Sequence, residues 1–165
     1  MHNEAIGAFK QTILIKPDDV HAHNNLGVAY LESGTYKEAV DAFKQAIRIK
    51  PDDSEAHYNL GVAYRKSGMD RLAMEEFIQA IRIKPDYTEA HLNLGIAYGK
   101  LGMWKEEIET YKQLIRIQPD YSKAHYNLGL AYLRIYGKGS ALEEYKILKN
   151  LNPELAEALF KLIYE

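Results

Sequence analysis

His57-Tyr58-Asn59-Leu60-Gly61-Val62-Ala63-Tyr64 is the stretch that decides the fold, because it occurs four times. A step of 34 residues back gives His23-Asn24-Asn25-Leu26-Gly27-Val28-Ala29-Tyr30. The same step forward gives His91-Leu92-Asn93-Leu94-Gly95-Ile96-Ala97-Tyr98, and once more His125-Tyr126-Asn127-Leu128-Gly129-Leu130-Ala131-Tyr132. The prolines Pro17, Pro51, Pro85, Pro119 and Pro153 keep the same interval. A strict period of that length specifies stacked supersecondary units, each burying its apolar face against its neighbours rather than in one central core. Function is then to be sought on the surface that the stack creates.

Within a unit the spacing predicts two helices. His57, Leu60, Gly61 and Tyr64 fall at i, i+3, i+4 and i+7, one continuous face directed at the core. Gly68 marks a turn, and a second helix carries Ala73, Phe77, Ala80 and Ile81 on its inner stripe before stopping at Pro85. Cations in its last turn, Arg82 and Lys84, complement the helix dipole by ~0.3–1 kcal/mol each. Asp53-Ser54 and Thr88 supply capping side chains for the helices that follow. Four full units result, 20–53, 54–87, 88–121 and 122–155, flanked by a partial unit over 1–19 and a partial C-terminal helix over 156–165, all one solenoid. Residues 2–16 read as the second helix of a unit whose first helix is missing, with Ala5, Ile6, Phe9 and Ile13 on one face. Residues 154–164 read as a closing helix with Leu155, Leu159, Leu162 and Ile163 on one side, leaving Phe160 and Tyr164 exposed. The two incomplete ends are complementary halves of one repeat, so head-to-tail self-association is an expected property.

A glycine inside a helix costs about 1 kcal/mol relative to alanine, so Gly27, Gly61, Gly95 and Gly129 need a reason to recur. Close approach of the paired helix through Ala39, Ala73 or Ala141 is the expected one. The third unit has Glu107 in place of that alanine, and its carboxylate is expected to bend out to solvent, the alternative being an ion pair. The fourth unit has Tyr136 in place of the turn glycine, followed by Gly137-Lys138-Gly139-Ser140. That run lacks the spacing of a phosphate-binding loop and a strand before it, and reads as a reshaped turn.

Composition excludes several classes of function. The chain has 21 basic and 23 acidic residues for a net charge of −2, which offers no basic field for nucleic acid. There is no cysteine, hence no thiolate chemistry, disulfide or cysteine metal site. No apolar run reaches the roughly 18 residues of a membrane span, and the start lacks the layout of a signal peptide; a cytoplasmic location is the default expectation. His23, His57, His91 and His125 sit on successive like helices ~8–10 Å apart, too far to share one metal ion with ligand bonds of roughly 2 Å, so they read as packing residues. Ser33, Ser54, Ser67 and Ser122 lie at turns or helix starts with no evident base. No catalytic residue, metal site or cofactor is expected.

The pattern H-x-x-L-G-x-x-Y, then A-x-x-x-F and P, resembles that of the tetratricopeptide repeat family, with His where the family usually has Trp. The resemblance covers essentially the whole chain. It implies an all-α, right-handed superhelix of antiparallel helix pairs whose first helices line a concave groove for peptides or partner proteins, in a family that is non-catalytic. The copies with His and Asn before Leu are most similar to the repeats of O-linked N-acetylglucosamine transferases, where an asparagine ladder is thought to grip substrate peptides.

A second stripe runs beside the core face of the first helices. Asn59, Val62 and Lys66 share one face at i, i+3 and i+7. Asn93, Ile96, Lys100 and Asn127, Leu130, Arg134 repeat it, and the first unit gives Asn25, Val28 and Glu32. Stacking would set these in rows of amides, aliphatics and mostly cations. A primary amide both donates and accepts, so a row of them can pair with the backbone of an extended peptide whatever its sequence. Each such bond contributes ~0.5–1.5 kcal/mol net, which with the cost of ordering the partner gives affinity on the order of micromolar. Tyr58, Leu92 and Tyr126 are expected to add apolar contact, and Lys66, Lys100 and Arg134 would favour an acidic segment. The positions that clamp a chain-terminal carboxylate in chaperone-binding members hold Asn24, Val28, Asn59, Glu89 and Asn93, or Tyr58, Val62, Asn93, Lys123 and Asn127, and neither set forms the clamp. The functional expectation is a non-catalytic module that holds a protein segment in its groove. The alternatives are a self-stacking scaffold and a substrate-docking fragment of a larger enzyme.

Overall fold

The computed structural model describes residues 2–164, which form ten helices and no strand. They are α1 (His2–Ile15), α2 (Val20–Glu32), α3 (Tyr36–Ile49), α4 (Ser54–Lys66), α5 (Asp70–Ile83), α6 (Thr88–Lys100), α7 (Trp104–Ile117), α8 (Ser122–Ile135), α9 (Lys138–Leu151) and α10 (Pro153–Tyr164). Two compact units divide the chain, one through Ala90 and one from His91, so the boundary falls inside α6. In the first unit each helix from α1 to α5 packs on the next. In the second, α7 packs on α8, while α8, α9 and α10 pack on one another.

The punctuation read from the sequence forms the helix ends. Asp19 caps α2 by accepting from the Ala22 amide at 2.9 Å, and Asp53 caps α4 by accepting from Glu55 and Ala56 at 3.1 Å each, caps of about 1 kcal/mol apiece. Gly34, Gly68 and Gly102 turn the chain between paired helices with φ of 74–77°, a region that favours glycine. In the fourth repeat α8 runs one residue longer than its counterparts α2, α4 and α6, and Gly137, at φ 76°, takes the turn that Tyr136 could not make.

The helix glycines are explained differently from the expectation. A Cβ on Gly27 would stand 2.5 Å from Phe43 Cε1, and one on Gly61 would stand 2.6 Å from Phe77 Cε1. A flat aromatic ring, not an alanine, is what approaches; Ala39 and Ala73 are fully buried beside it. Phe43 and Phe77 are fully buried too, each stabilising by ~1.5–3 kcal/mol. At Gly95 the ring is Tyr111, and at Gly129 Leu159 of α10 takes the place of a ring. Leu159 and Ile163 of α10 are buried, but Leu162, expected on the same side, is exposed.

The histidines that replace tryptophan serve as ties. His57 donates from Nε2 to the Pro51 carbonyl at 3.0 Å and from Nδ1 to Glu76 Oε2 at 2.7 Å. His125 repeats this with Pro119 at 2.8 Å and Glu144 at 2.7 Å. Each ring therefore fastens the loop before its helix to the second helix of the same pair. The glutamate hydrogen bond is the main reason that both imidazoles titrate above the ordinary histidine value, against the opposing effect of burial. His23 keeps the proline bond, at 2.8 Å, but the position equivalent to Glu76 is Ala42.

Candidate functional site

The residues expected to form the binding face keep distinct positions in the two units. In the first, Asn25 and Lys66 are exposed, and Asn59 and Val62 are half-buried. In the second, Asn93, Ile96, Asn127 and Leu130 are half-buried, with Lys100 and Arg134 exposed at the ends of their helices. The apolar trio is less open than expected. The Tyr58 ring lies 5.9 Å from that of Phe77 and 5.0 Å from that of Tyr87. Leu92 packs against the cluster that holds Ile108, Tyr111 and Leu128, and Tyr126 against the one that holds Leu148, Leu159 and Ile163. Much of their apolar surface is already used inside the fold, so exposure alone does not mark them as partner contacts.

Five of the expected residues converge on one cavity of about 300 Å³ in the second unit. Ile96 and Lys100 come from α6, and Asn127, Leu130 and Arg134 come from α8. Its inner side is built from residues the sequence reading did not assign to the site: Gly99, Trp104, Glu107 and Tyr111.

Glu107 overturns the expectation made for it. Its residue is 3% exposed, and both of its carboxylate oxygens accept from Arg134 Nη1, at 2.9 and 2.8 Å. A helix directs it inward at the position where the other repeats carry a core alanine. Burial raises its pKa above the ordinary carboxyl range, opposed by the Arg134 hydrogen bonds and charge. Gly99 makes the room: a Cβ there would stand 2.8 Å from Glu107 Oε1. Trp104, the one tryptophan in the sequence, lies under the guanidinium, with Arg134 Cζ 5.2 Å from the ring centroid, within cation–π range. Arg134 is thus held from two sides while its side chain remains 44% exposed. Its charge in the expected cationic row is largely answered by Glu107.

The first unit has a larger hollow, about 560 Å³, lined by Ile13, Leu14, Leu26 and Tyr30 among others. It contains none of the amide, aliphatic or cationic row residues. Among the described residues no cluster of His, Asp or Glu could hold a metal ion, and no helix is long and apolar enough to cross a membrane.

The family model for the TPR repeat matches residues 29–68, 71–102 and 104–135, more than half of the chain. Among solved structures, one of MamA superposes with a TM-score of 0.89 at 26% identity, covering 94% of this chain and 91% of that one. A second, of MamA protein, is 30% identical with a TM-score of 0.80, covering 99% and 86%. YrrB, described as a TPR protein with an unusual peptide-binding site, is 24% identical with a TM-score of 0.85, covering 97% and 84%; at that identity the likeness is one of fold. No curated protein matches the chain.

Proposed function

Since the chain belongs to the tetratricopeptide repeat family, a family of protein-interaction modules, we propose that it binds an extended protein segment along its first-helix faces and carries out no chemistry of its own. The asparagine row supplies sequence-tolerant pairing with the partner backbone, Asn25 and Asn59 in the first unit and Asn93 and Asn127 in the second. The aliphatic row beside it takes side chains, and the cations favour an acidic segment. The observation that carries this reading is the convergence of Ile96, Lys100, Asn127, Leu130 and Arg134, predicted from spacing alone, on a single cavity. YrrB, with the same fold and a peptide-binding site, supports the class of ligand.

The test is capture of peptides from a display library of random short sequences by the wild type and by Asn59→Ala/Asn93→Ala/Asn127→Ala. Three lost amide contacts at ~0.5–1.5 kcal/mol each weaken binding by about tenfold or more, with the far-ultraviolet circular dichroism unchanged. Equal capture by the two proteins refutes the ladder. A second reading, self-association, is favoured by Leu14 and Ile15 of α1 and by Leu162 and Tyr164 of α10, all well exposed. Sedimentation velocity separates the two readings, because stacking produces larger species as concentration rises while a peptide-binding monomer does not.

A further inference from the structure

We infer that the cavity between α6, α7 and α8 is a specificity pocket for one acidic side chain of the bound segment, gripped by a pre-positioned Arg134. The inference rests on the reading of the first-helix faces as the peptide site, and names what that site selects. Arginine 134 uses one terminal nitrogen, Nη1, for both bonds to Glu107. A guanidinium has five N–H donors in a rigid fork, so Nη2 and Nε remain for a second carboxylate. The fork is aligned before any ligand arrives: Glu107 fixes one edge and Trp104 supports one face at 5.2 Å, which removes much of the ordering cost of recognition.

The rest of the lining fits an acid with a short apolar stem. Ile96 and Leu130 offer aliphatic walls, the Asn127 amide can donate, and Lys100 adds a second positive charge at the rim. A basic ligand side chain finds both Glu107 oxygens already taken by Arg134. The other three full repeats carry different residues at these positions. At the 34-residue step Glu107 corresponds to Ala39, Ala73 and Ala141, Gly99 to Leu31, Arg65 and Leu133, and Trp104 to Tyr36, Asp70 and Lys138. One repeat departs from the others at three positions: Glu107 and Trp104 meet Arg134, and Gly99 gives Glu107 its clearance.

The experiment selects peptides from the same library, then synthesises the best binder in three forms: as selected, with its acidic residue replaced by the matching amide, and with its C-terminus amidated. Trp104 fluorescence reports occupancy, since no other tryptophan contributes. The selected peptides are expected to share Asp or Glu at one position, and the acid-to-amide change to weaken binding by about tenfold or more, as for a hydrogen bond to a charged group. Glu107→Ala/Arg134→Ala, which restores the alanine of the other repeats and leaves no buried charge alone, is expected to bind acid and amide forms within about twofold of each other. Glu107→Gln, which keeps the side chain's shape but releases the clamp, is expected to narrow the acid preference. A widened preference in Glu107→Gln overturns the positioning role, because electrostatic repulsion would then be all that Glu107 contributed. Equal binding of acid and amide peptides by the wild type overturns the pocket and leaves the peptide-face reading standing. Dependence on a free C-terminus rather than on the acidic side chain overturns the assignment of the carboxylate to a side chain. Failure to capture any peptide overturns both readings.

Discussion

Removing the two halves of the Glu107–Arg134 pair should have very unequal consequences for stability. In Arg134→Ala the carboxylate of Glu107, whose residue is 3% exposed in the wild type, loses the two hydrogen bonds it receives from Arg134. Orphaning one partner of a buried pair costs ~3–5 kcal/mol. Because the Arg134 side chain is 44% exposed, its loss also lets water toward Glu107, which puts the expected cost at about 2–3 kcal/mol, just below that range. In Glu107→Ala the arginine is already partly in water and is simply solvated, while the desolvation cost of the carboxylate disappears. The change should stay within about 1 kcal/mol of wild type in either direction, as for a partly exposed pair. The double variant should resemble Glu107→Ala, giving a coupling energy equal in size to the Arg134→Ala cost, about 2–3 kcal/mol.

The same cycle has a pH signature with a definite sign. Glu107 has a raised pKa in the folded protein, so the folded state holds that proton more tightly than the unfolded one, and ionising the buried carboxylate costs stability as pH rises through its folded value. In Arg134→Ala the guanidinium no longer opposes the shift. The deficit of that variant should therefore shrink as pH falls from 7 toward the carboxyl range, as protonation makes the orphaned group neutral. Urea unfolding followed by far-ultraviolet circular dichroism gives the global transition, and Trp104 fluorescence gives the local one. Using both matters because repeat arrays can lose cooperativity between units. A Glu107→Ala variant as damaged as Arg134→Ala, or a double variant worse than either, would refute the reasoning.

Two further outcomes follow from neighbouring geometry. Gly99→Ala should destabilise the wild type by about 1 kcal/mol, since its Cβ would meet Glu107 Oε1 at 2.8 Å; in a Glu107→Ala background it should stabilise by ~0.5–1 kcal/mol through helix propensity, a change of sign readable from urea midpoints. His57 and His125 have raised folded pKa values, chiefly through Glu76 and Glu144, so their contribution is complete below the unfolded histidine value near 6.5 and lost as pH rises through the folded one. Glu76→Gln/Glu144→Gln should keep both hydrogen bonds but flatten the fall in unfolding free energy as pH rises above the ordinary histidine value near 6.5; a slope equal to that of wild type would show that the ties carry no charge.

The periodic part of this protein is legible in its sequence because a 34-residue step compares like with like. The proline interval, the His-x-x-Leu-Gly-x-x-Tyr face and the amide, aliphatic and cationic rows all follow from helical spacing, and they locate five of the residues around the cavity. Glu107 defeats the same method. Its partner lies 27 residues away, at Arg134, so no comparison of equivalent positions brings the two together. Gly99 was hidden for a related reason, since it reads as a weak helix position until the carboxylate opposite it is known. The contact expected of Ala39 and Ala73 belongs instead to Phe43 and Phe77, because a ring laid flat on a glycine buries more area than a methyl group can. One signal was present and unread: glutamate stands 19 residues after His57 and after His125, and in both pairs the two side chains bond.

Alanine at the Glu107 position serves three other repeats, so a buried carboxylate there has a ready, less costly substitute. Buried ion pairs are weak evidence for stability, since taking two charges from water offsets most of their attraction. The Glu107–Arg134 pair also needs Gly99, a poor helix residue, and it places Trp104 at 39% exposure. Each of these choices runs against the stability of the repeat that carries it. A stack can tolerate one such repeat because its neighbours' interfaces contribute independently. What the four residues achieve together, and none achieves alone, is a guanidinium held still at the mouth of a cavity with donors to spare. Stability gives no reason for that arrangement; recognition of an anionic group does.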